Sequence, residues 1–258
     1  MNALLQAGWD KNRVLLGTWI KIPSVFILES TIKAGFDFLV IDMEHSYLSE
    51  EFLFTATVVA QANNVALIVR TAESSGKGIS RILDIGIDGV LFPQLANSAQ
   101  AKQALNSTRF QPVGSRGVGV TSRAGEWASI SQEQYMANND EHLFRCVQFE
   151  LESAFDDLDA ILDLPGLSAT FLGPSDLSQA LGVPMNDQRI HELGKLLVEK
   201  SKAKGLPCGT ALGNPSLIEK AIEVGYNFII VSNDTSIYNN AVRSLLQDSA
   251  AARDRWQA

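Results

Sequence analysis

The run Phe38-Leu39-Val40-Ile41 ends directly on Asp42, and Glu44 and His45 follow it closely. Three other short apolar runs also stop at residues able to do chemistry: residues 65–69 at Arg70, 145–149 at Glu150, and 169–172 at Gly173-Pro174-Ser175-Asp176. Short apolar runs are typical of buried parallel strands, and parallel α/β folds place functional groups at the carboxyl ends of their strands. The sequence therefore predicts an enzyme whose chemical groups converge on one rim.

The composition is that of an ordinary globular protein, with 46% hydrophobic and 19% charged residues in a chain of 258. The net charge of −8 argues against nucleic acid as the main partner, because binding phosphates needs a basic surface. No apolar run is long enough to span a bilayer, and the N-terminal segment lacks a signal-peptide pattern. We therefore expect a cytoplasmic protein without a membrane partner, in which Cys146 and Cys208 are reduced thiols.

Strand and helix patterns alternate along the chain, from a strand at residues 14–20 to a final helix at residues 237–256. About eight strand–helix units can be counted, as a (β/α)8 TIM barrel requires. Because no linker interrupts the alternation, we expect a single domain over residues 1–258. An open doubly wound sheet is the alternative fold, and it would fit fewer units better.

Residues 110–127 break this alternation. The segment contains Pro112, four glycines and two arginines, and Arg109 directly precedes it. Long ordered loops in compact domains are often functional. The sequence predicts that the stretch 114–119 forms a mobile loop at the rim of the barrel.

His45 is the best single candidate for acid–base chemistry, because it would lie at the rim beside Asp42 and Glu44. A neighbouring carboxylate can orient an imidazole for proton transfer. Arg70 ends an apolar strand, where a guanidinium needs an anionic or carbonyl partner. A purely structural ion pair of Arg70 with Asp42, Glu44 or Glu150 is the alternative interpretation.

Glu150 and Asp176 follow two consecutive predicted strands, so their carboxylates would meet across the rim. Two carboxylates with waters and substrate oxygens suit an octahedral ion such as Mg²⁺ or Mn²⁺. Many proteins carry such a pair, so the spacing alone does not specify a metal. The free amides of Ser175 and Asp176 at a helix start would suit a substrate carboxylate, although a simple helix N-cap explains them equally well.

Motifs for two other enzyme classes and for a structural zinc site are missing from the sequence. The glycines at 114–119 have the wrong order for a dinucleotide-binding turn, so we expect no nucleotide cofactor. The Gly-x-Ser-x-Gly pattern of a serine hydrolase is also absent. No cluster of histidine and cysteine has the spacing of a structural zinc site.

Several stretches together resemble the HpcH/HpaI family of class II pyruvate aldolases, of which 4-hydroxy-2-oxoheptanedioate aldolase is a member. They are residues 34–45, 69–70, 83–86, 114–119, 148–150 and 171–178. The similarity spans nearly the whole chain with little shift in spacing. The resemblance implies metal-dependent cleavage or formation of 4-hydroxy-2-oxo acids, through a metal-stabilised pyruvate enolate, with release of an aldehyde.

The resemblance also implies a role for each matching residue. Glu150 and Asp176 would hold Mg²⁺, Mn²⁺ or Co²⁺, and Arg70 would stabilise the enolate oxygen. His45, paired with Asp84, would move the proton of the aldol hydroxyl. The remaining implied residues line the substrate site: Trp19, Gln148 (beside the metal), Gly173, Pro174, Ser175 and Leu212.

A Schiff-base lysine is not needed for this chemistry, because a metal and a guanidinium can stabilise the enolate. Three positions depart from the family pattern: Met43, Thr71 and Glu126. The last of these lies in the expected rim loop, where a basic residue is frequent. The departures leave the metal and enolate machinery intact and bear on the choice of aldehyde.

Two other functions remain open. The same scaffold could form carbon–carbon bonds, as in a citrate-forming synthase of siderophore pathways or a macrophomate synthase. A non-catalytic keto-acid-binding protein is the second alternative. Family members are often hexamers built as trimers of dimers that exchange the C-terminal helix, which residues 237–256 could do here.

Overall fold

The computed structural model describes residues 2–257. Within them, eight parallel strands form a closed barrel in the order of the chain, and β1 closes against β8. The strands are β1 (Leu15–Ile20), β2 (Phe38–Asp42), β3 (Ala66–Arg70), β4 (Gly89–Phe92), β5 (Phe144–Phe149), β6 (Ala169–Leu172), β7 (Cys208–Leu212) and β8 (Phe228–Asn233). The predicted (β/α)8 barrel is confirmed, and closure excludes the open sheet.

Helices surround this barrel and alternate with its strands. They are α1 (Ala3–Trp9), α2 (Val25–Lys33), α3 (Glu50–Ala62), α4 (Lys77–Asp84), α5 (Ser98–Ser107), α6 (Gln132–His142), α7 (Glu152–Asp156), α8 (Leu158–Leu162), α9 (Pro174–Leu181), α10 (Gln188–Ala203), α11 (Ile218–Val224) and α12 (Asp234–Gln257). Along the described residues, no helix is both long enough and apolar enough to cross a membrane.

Local sequence explains where helices begin. Ser49 accepts a hydrogen bond from the amide of Phe52 at the start of α3, as the sequence predicts for an N-cap. Helix α2 begins at Val25, because the side chain of Ser24 accepts from the amide of Ile27. Asn97 caps α5 in the same way, since its side chain accepts from the amide of Gln100.

Side chains of each strand alternate between the inside and the outside of the barrel. In β2, Phe38 and Val40 belong to the inner core, whereas Leu39 and Ile41 pack against the helices. The inner core is rich in aromatic rings, and Trp9 of α1 packs against Phe144 and Phe228. These rings fill the interior of the barrel near its amino end.

The irregular segment lies at the amino end of the barrel, because it connects α5 to the start of β5. Arg116 is buried and donates to Asp84 at the end of α4, and its guanidinium lies over the ring of Phe110. Arg123 donates to the carbonyl of Ile85. The prediction that residues 114–119 lie at the rim is thus wrong for this chain's own barrel. A connection from a helix to the next strand lies at the amino end of the barrel, opposite the rim.

Candidate active site

A cavity of about 240 Å³ opens at the carboxyl end of the barrel. Most of the residues predicted for the site line it: Trp19, His45, Arg70, Gln148, Gly173, Pro174, Ser175 and Asp176. Larger cavities of about 580 and 730 Å³ lie at the amino end, among residues that precede the strands. We take the smaller cavity as the candidate site, because barrel enzymes place their chemistry at the carboxyl ends of strands.

Register brings Asp42 and Arg70 together at the ends of β2 and β3. The Nε and Nη2 atoms of Arg70 donate to Oδ1 and Oδ2 of Asp42 at 2.9 and 2.8 Å. The guanidinium also lies 4.3 Å from the centre of the Trp19 ring. A fork of two hydrogen bonds and a stacking face fix its orientation, so Arg70 is a preorganised donor.

Glu44 is the carboxylate beside His45. Its Oε2 atom lies 3.6 Å from Nε2 of His45 and 3.2 Å from Nη1 of Arg70. Its Oε1 accepts from the side-chain amide of Gln94 at 2.6 Å. The His45 ring is about half exposed at the mouth of the cavity, where it can exchange protons with a bound substrate or with water.

Asp84 does not meet His45 within the described chain. Its Oδ1 accepts from Arg116 at 2.8 Å and from the Tyr135 hydroxyl at 3.1 Å. Asp84 ends α4, at the amino end of the barrel, whereas His45 follows β2 at the carboxyl end. The predicted pairing is therefore not made inside one chain, and a catalytic role of Asp84 stays a prediction.

Leu212 was expected to wall the substrate pocket, but that assignment has the wrong phase. Ala211 lines the 240 Å³ cavity, and alternation along β7 turns Leu212 outward. Leu212 instead lines a neighbouring cavity of about 280 Å³ between the barrel and its helices.

Lys21 is a site residue that the sequence reasoning missed. Its Nζ lies 3.0 Å from Oδ2 of Asp42, and its side chain lines the cavity. The carboxylate of Asp234, the first residue of α12, accepts from the backbone amides of Lys21 and Ile22. The signal was present in the sequence, because Lys21 directly follows β1 and shares the inward phase of Trp19.

Asp42 is fully buried and remains ionised. Burial alone would raise the pKa of Asp42, but the hydrogen bonds and charge of Arg70, followed by those of Lys21, hold this pKa below the ordinary value of 3.8. The site therefore keeps a permanent negative charge between two cations.

The pKa of Glu150 is shifted in the opposite direction from that of Asp42. Burial raises the pKa of Glu150 to about 7, against the hydrogen bonds from the Gln94 amide and the Gln148 side chain, and the charges of Glu44 and Asp176 raise it further. A carboxylate with carboxylate neighbours in a buried place is one that a cation would stabilise.

Three further observations bear on a metal. Gln148 donates through Nε2 to Oε2 of Glu150, while its buried Oε1 has no partner among the described residues. A Cβ on Gly173 would lie 2.7 Å from Gln148 Nε2 and 3.0 Å from Glu150 Oε2, so only glycine leaves this space open. Nowhere in residues 2–257 do three His, Cys, Asp or Glu side chains cluster as a metal cage. The oxygen donors fit a hard divalent ion that also takes water or substrate oxygens.

The start of α9 faces the same cavity. Gly173 precedes the helix and Pro174 is its first residue, so the amides of Ser175 and Asp176 lie in the first turn. First-turn amides have no partner within their helix and favour an anion. They could bind a substrate carboxylate beside Asp176.

A closed (β/α)8 barrel with a guanidinium, an imidazole and two carboxylates lining one cavity has the architecture of a barrel enzyme. The HpcH/HpaI aldolase/citrate lyase family matches residues 15–241, and the chain belongs to this family. It is a carbon–carbon lyase.

Similar proteins cover the chain from end to end. A 2-keto-3-deoxy-L-rhamnonate aldolase of Salmonella schwarzengrund is 33% identical over 253 residues, which cover 95% of this chain and 94% of the relative. An HpcH/HpaI family protein of Burkholderia cenocepacia has a TM-score of 0.89 at 27% identity, covering 97% of this chain and 100% of that one. A citrate synthase structure has a TM-score of 0.84 at 23% identity, covering 96% and 98% respectively, and shows the shared fold alone.

Proposed function

We propose that this enzyme cleaves, or in reverse forms, 4-hydroxy-2-oxo acids, giving pyruvate and an aldehyde through a metal-stabilised enolate. One observation carries the proposal: the preorganised guanidinium of Arg70 lines a small cavity, and the Glu150 carboxylate, which needs a cation, lies directly behind Gly173 of the same cavity. A keto oxygen and a carboxylate on adjacent carbons are the groups that this arrangement suits. The name of the Salmonella relative, an aldolase of a 2-keto acid, supports the same substrate class.

Glu150 and Asp176 would hold Mg²⁺, Mn²⁺ or Co²⁺, and Gln148 would orient Glu150. When bound, such an ion supplies Lewis-acid polarisation of the keto oxygen. The first-turn amides of Ser175 and Asp176 bind the substrate carboxylate, and the faces of Trp19 and Pro174 exclude water from it.

Arg70 donates to the keto oxygen, where negative charge grows as the carbon–carbon bond breaks. Because Asp42 and Trp19 already fix the guanidinium, little reorganisation is needed when that charge develops. His45 takes the proton of the C4 hydroxyl at Nε2, the C3–C4 bond breaks, and its electron pair forms the enolate. Protonation at C3 then gives pyruvate, and the hydroxyl carbon leaves as the aldehyde.

The alternatives have less support. The likeness to a citrate synthase concerns the fold alone and therefore carries no argument for synthase activity. The ordered acid–base and guanidinium groups argue against a protein that only binds keto acids.

Deuterium exchange into the methyl group of pyruvate, followed by NMR, tests the proposal without knowledge of the aldehyde. We expect exchange that needs a divalent ion and stops with a chelator. Glu150→Ala should lose both metal binding and exchange. Substantial aldol cleavage by metal-free Glu150→Ala protein would overturn the assignment.

We also propose that the protein is a homo-oligomer, a hexamer built as a trimer of dimers, in which α12 packs on a partner subunit. The helix carries exposed apolar side chains that would need a cover: Ile237, Tyr238, Val242, Leu245 and Leu246. Light scattering of the Leu245→Asp, Leu246→Asp double variant tests this, because a smaller assembly is expected. An unchanged mass would contradict it.

A cytoplasmic location, which suits the two free thiols, belongs to the same proposal.

A further inference from the structure

Asp42 is the centre of the ionic network in the site. Its Oδ1 accepts from Nε of Arg70 and from the backbone amides of Glu44 and His45, both at 3.2 Å. Its Oδ2 contacts Nη2 of Arg70 at 2.8 Å and Nζ of Lys21 at 3.0 Å. One buried carboxylate thus holds the guanidinium of Arg70 and the backbone that carries His45.

The charges of this network balance only when Lys21 is included. Asp42 and Glu44 both contact the guanidinium of Arg70, so two negative charges share one positive charge. Lys21 supplies the second positive charge, on the oxygen of Asp42 that also meets Arg70. Without Lys21, the site would present a buried net negative charge to an anionic substrate. The unneutralised Asp42 carboxylate would also offset more of the positive potential of Arg70 at the substrate.

Lys21 is held in place from two sides. Its backbone amide donates to Asp234 at 3.0 Å, and its side chain is only 26% exposed. A lysine on a free surface loses rotamer entropy when it forms an ion pair, but a side chain that is already three-quarters buried has fewer rotamers to lose.

We propose that Lys21 is a positioning residue: by neutralising Asp42, it leaves the guanidinium of Arg70 with the positive charge that stabilises the enolate oxygen. This inference rests on the proposed function. Direct binding of a charged group on the aldehyde is the competing role. It is less favoured, because the Lys21 ammonium already faces the Asp42 carboxylate.

The two roles differ in a reaction that involves no aldehyde. Exchange of the pyruvate methyl protons uses the enolate alone, whereas cleavage also uses the aldehyde end of the substrate. If Lys21 acts through Arg70, Lys21→Met lowers kcat for exchange and kcat for cleavage by the same factor. We expect a loss of about tenfold, which is smaller than the loss expected for a direct oxyanion donor. Lys21→Arg restores most of both rates, because it returns the charge.

Lys220→Met is a matched control. Lys220 lies on α11 and lines the neighbouring 280 Å³ cavity, away from Asp42. We expect its exchange and cleavage rates to equal those of the unmodified enzyme. Mn²⁺ affinity and thermal unfolding of each Lys21 variant separate a change at Arg70 from loss of the metal or the fold.

Lys21→Gln is the second variant should Lys21→Met unfold, since glutamine lacks the charge but keeps a hydrogen-bond donor. The role of Lys21 is overturned if the folded Lys21→Gln variant exchanges the pyruvate methyl protons as fast as the unmodified enzyme does. It is also overturned by a change in cleavage KM with exchange intact, which would assign Lys21 to the aldehyde. Absence of exchange in the unmodified metal-loaded enzyme would instead overturn the proposed function.

Discussion

Asp42 and Arg70 are register partners at the ends of neighbouring strands, and two hydrogen bonds of 2.9 and 2.8 Å join their side chains. Both are buried at a cavity that opens to solvent. A buried ion pair adds little net stability by itself, because desolvation offsets the attraction. Its position at the rim is better explained by the orientation that it imposes on the guanidinium.

Arg70→Lys tests that orientation. Lysine keeps the charge but loses the fork of hydrogen bonds to Asp42 and the planar face on Trp19. We expect kcat for pyruvate exchange to fall by about 10² to 10³, as for loss of an oxyanion donor. Arg81→Lys is the control, because Arg81 is exposed on α4 and pairs with Glu50. Near-normal turnover of Arg70→Lys would contradict the role of the guanidinium.

His45→Ala should separate two steps of the reaction. Cleavage needs a base for the C4 hydroxyl, so its rate is expected to fall by about 10² to 10⁴. Pyruvate exchange involves no such hydroxyl and should persist. His142→Ala, at the amino end of the barrel, is the matched control and should change neither rate. Equal losses of cleavage and exchange in His45→Ala would show that His45 also acts on the methyl group.

Gly173→Ala should weaken metal binding. The added Cβ would lie 2.7 Å from Gln148 Nε2, which would have to move, and would crowd Glu150 Oε2 at 3.0 Å, so the Glu150 carboxylate would shift with the side chain that orients it. We expect the dissociation constant for Mn²⁺ to rise about tenfold or more, as when a residue that orients a metal ligand is changed. Isothermal titration calorimetry measures it, and Gly213→Ala is the control because open space surrounds that position. Unchanged affinity would argue against a metal at Glu150.

Asp42→Asn should lower stability in a pH-dependent way. The pKa of Asp42 in the folded chain lies below 3.8, so the folded state favours the ionised form and gains stability above that pH. At neutral pH we expect the variant to lose about 3–5 kcal/mol, the cost of breaking a buried pair. The difference between the two proteins should narrow as the pH falls below 3.8 and through the lower pKa of Asp42 in the folded chain. Urea unfolding at several pH values measures it, and a difference that widens in acid would refute the ionised Asp42.

The two cysteines should not react while the protein is folded. Both thiols are free and buried, and burial, followed by the charge of Cys208, raises the pKa of Cys146. Burial also raises the pKa of Cys208 to about 12. A thiol-reactive dye at pH 8 should label neither in the native protein and both after unfolding. Fast labelling of the native protein would mean that the barrel opens.

Much of the fold and of the site follows from the ends of the apolar runs. Strands buried on both faces have a strong local signal. The residues at and just after the end of each strand fall on one rim, which is how the sequence placed Arg70, Glu150 and His45 there. The phase within a strand was harder to predict, because both faces are apolar. The resemblance implied Leu212 as a pocket residue, whereas alternation along β7 gives that place to Ala211. Lys21 was overlooked because it lies just past the predicted first strand, which ends at residue 20.

Contacts between distant segments could not be derived from local patterns. Arg116 meets Asp84 across 32 positions of the chain, and no periodicity connects an irregular segment to the end of α4. Helices α1 and α6 were also missed. The second is polar over most of its length and has Tyr135 as its buried residue, so it lacks the apolar stripe that marks a helix.

Asp234 connects helix α12 to the loop that carries Lys21. It begins α12, and its carboxylate holds the backbone amides of Lys21 and Ile22 at the edge of the cavity. If α12 docks on a neighbour as proposed, a shift of its first turn would reach the loop that carries Lys21. We then expect specific activity to depend on protein concentration, because a diluted enzyme would slow as its subunits separate while each barrel stays folded.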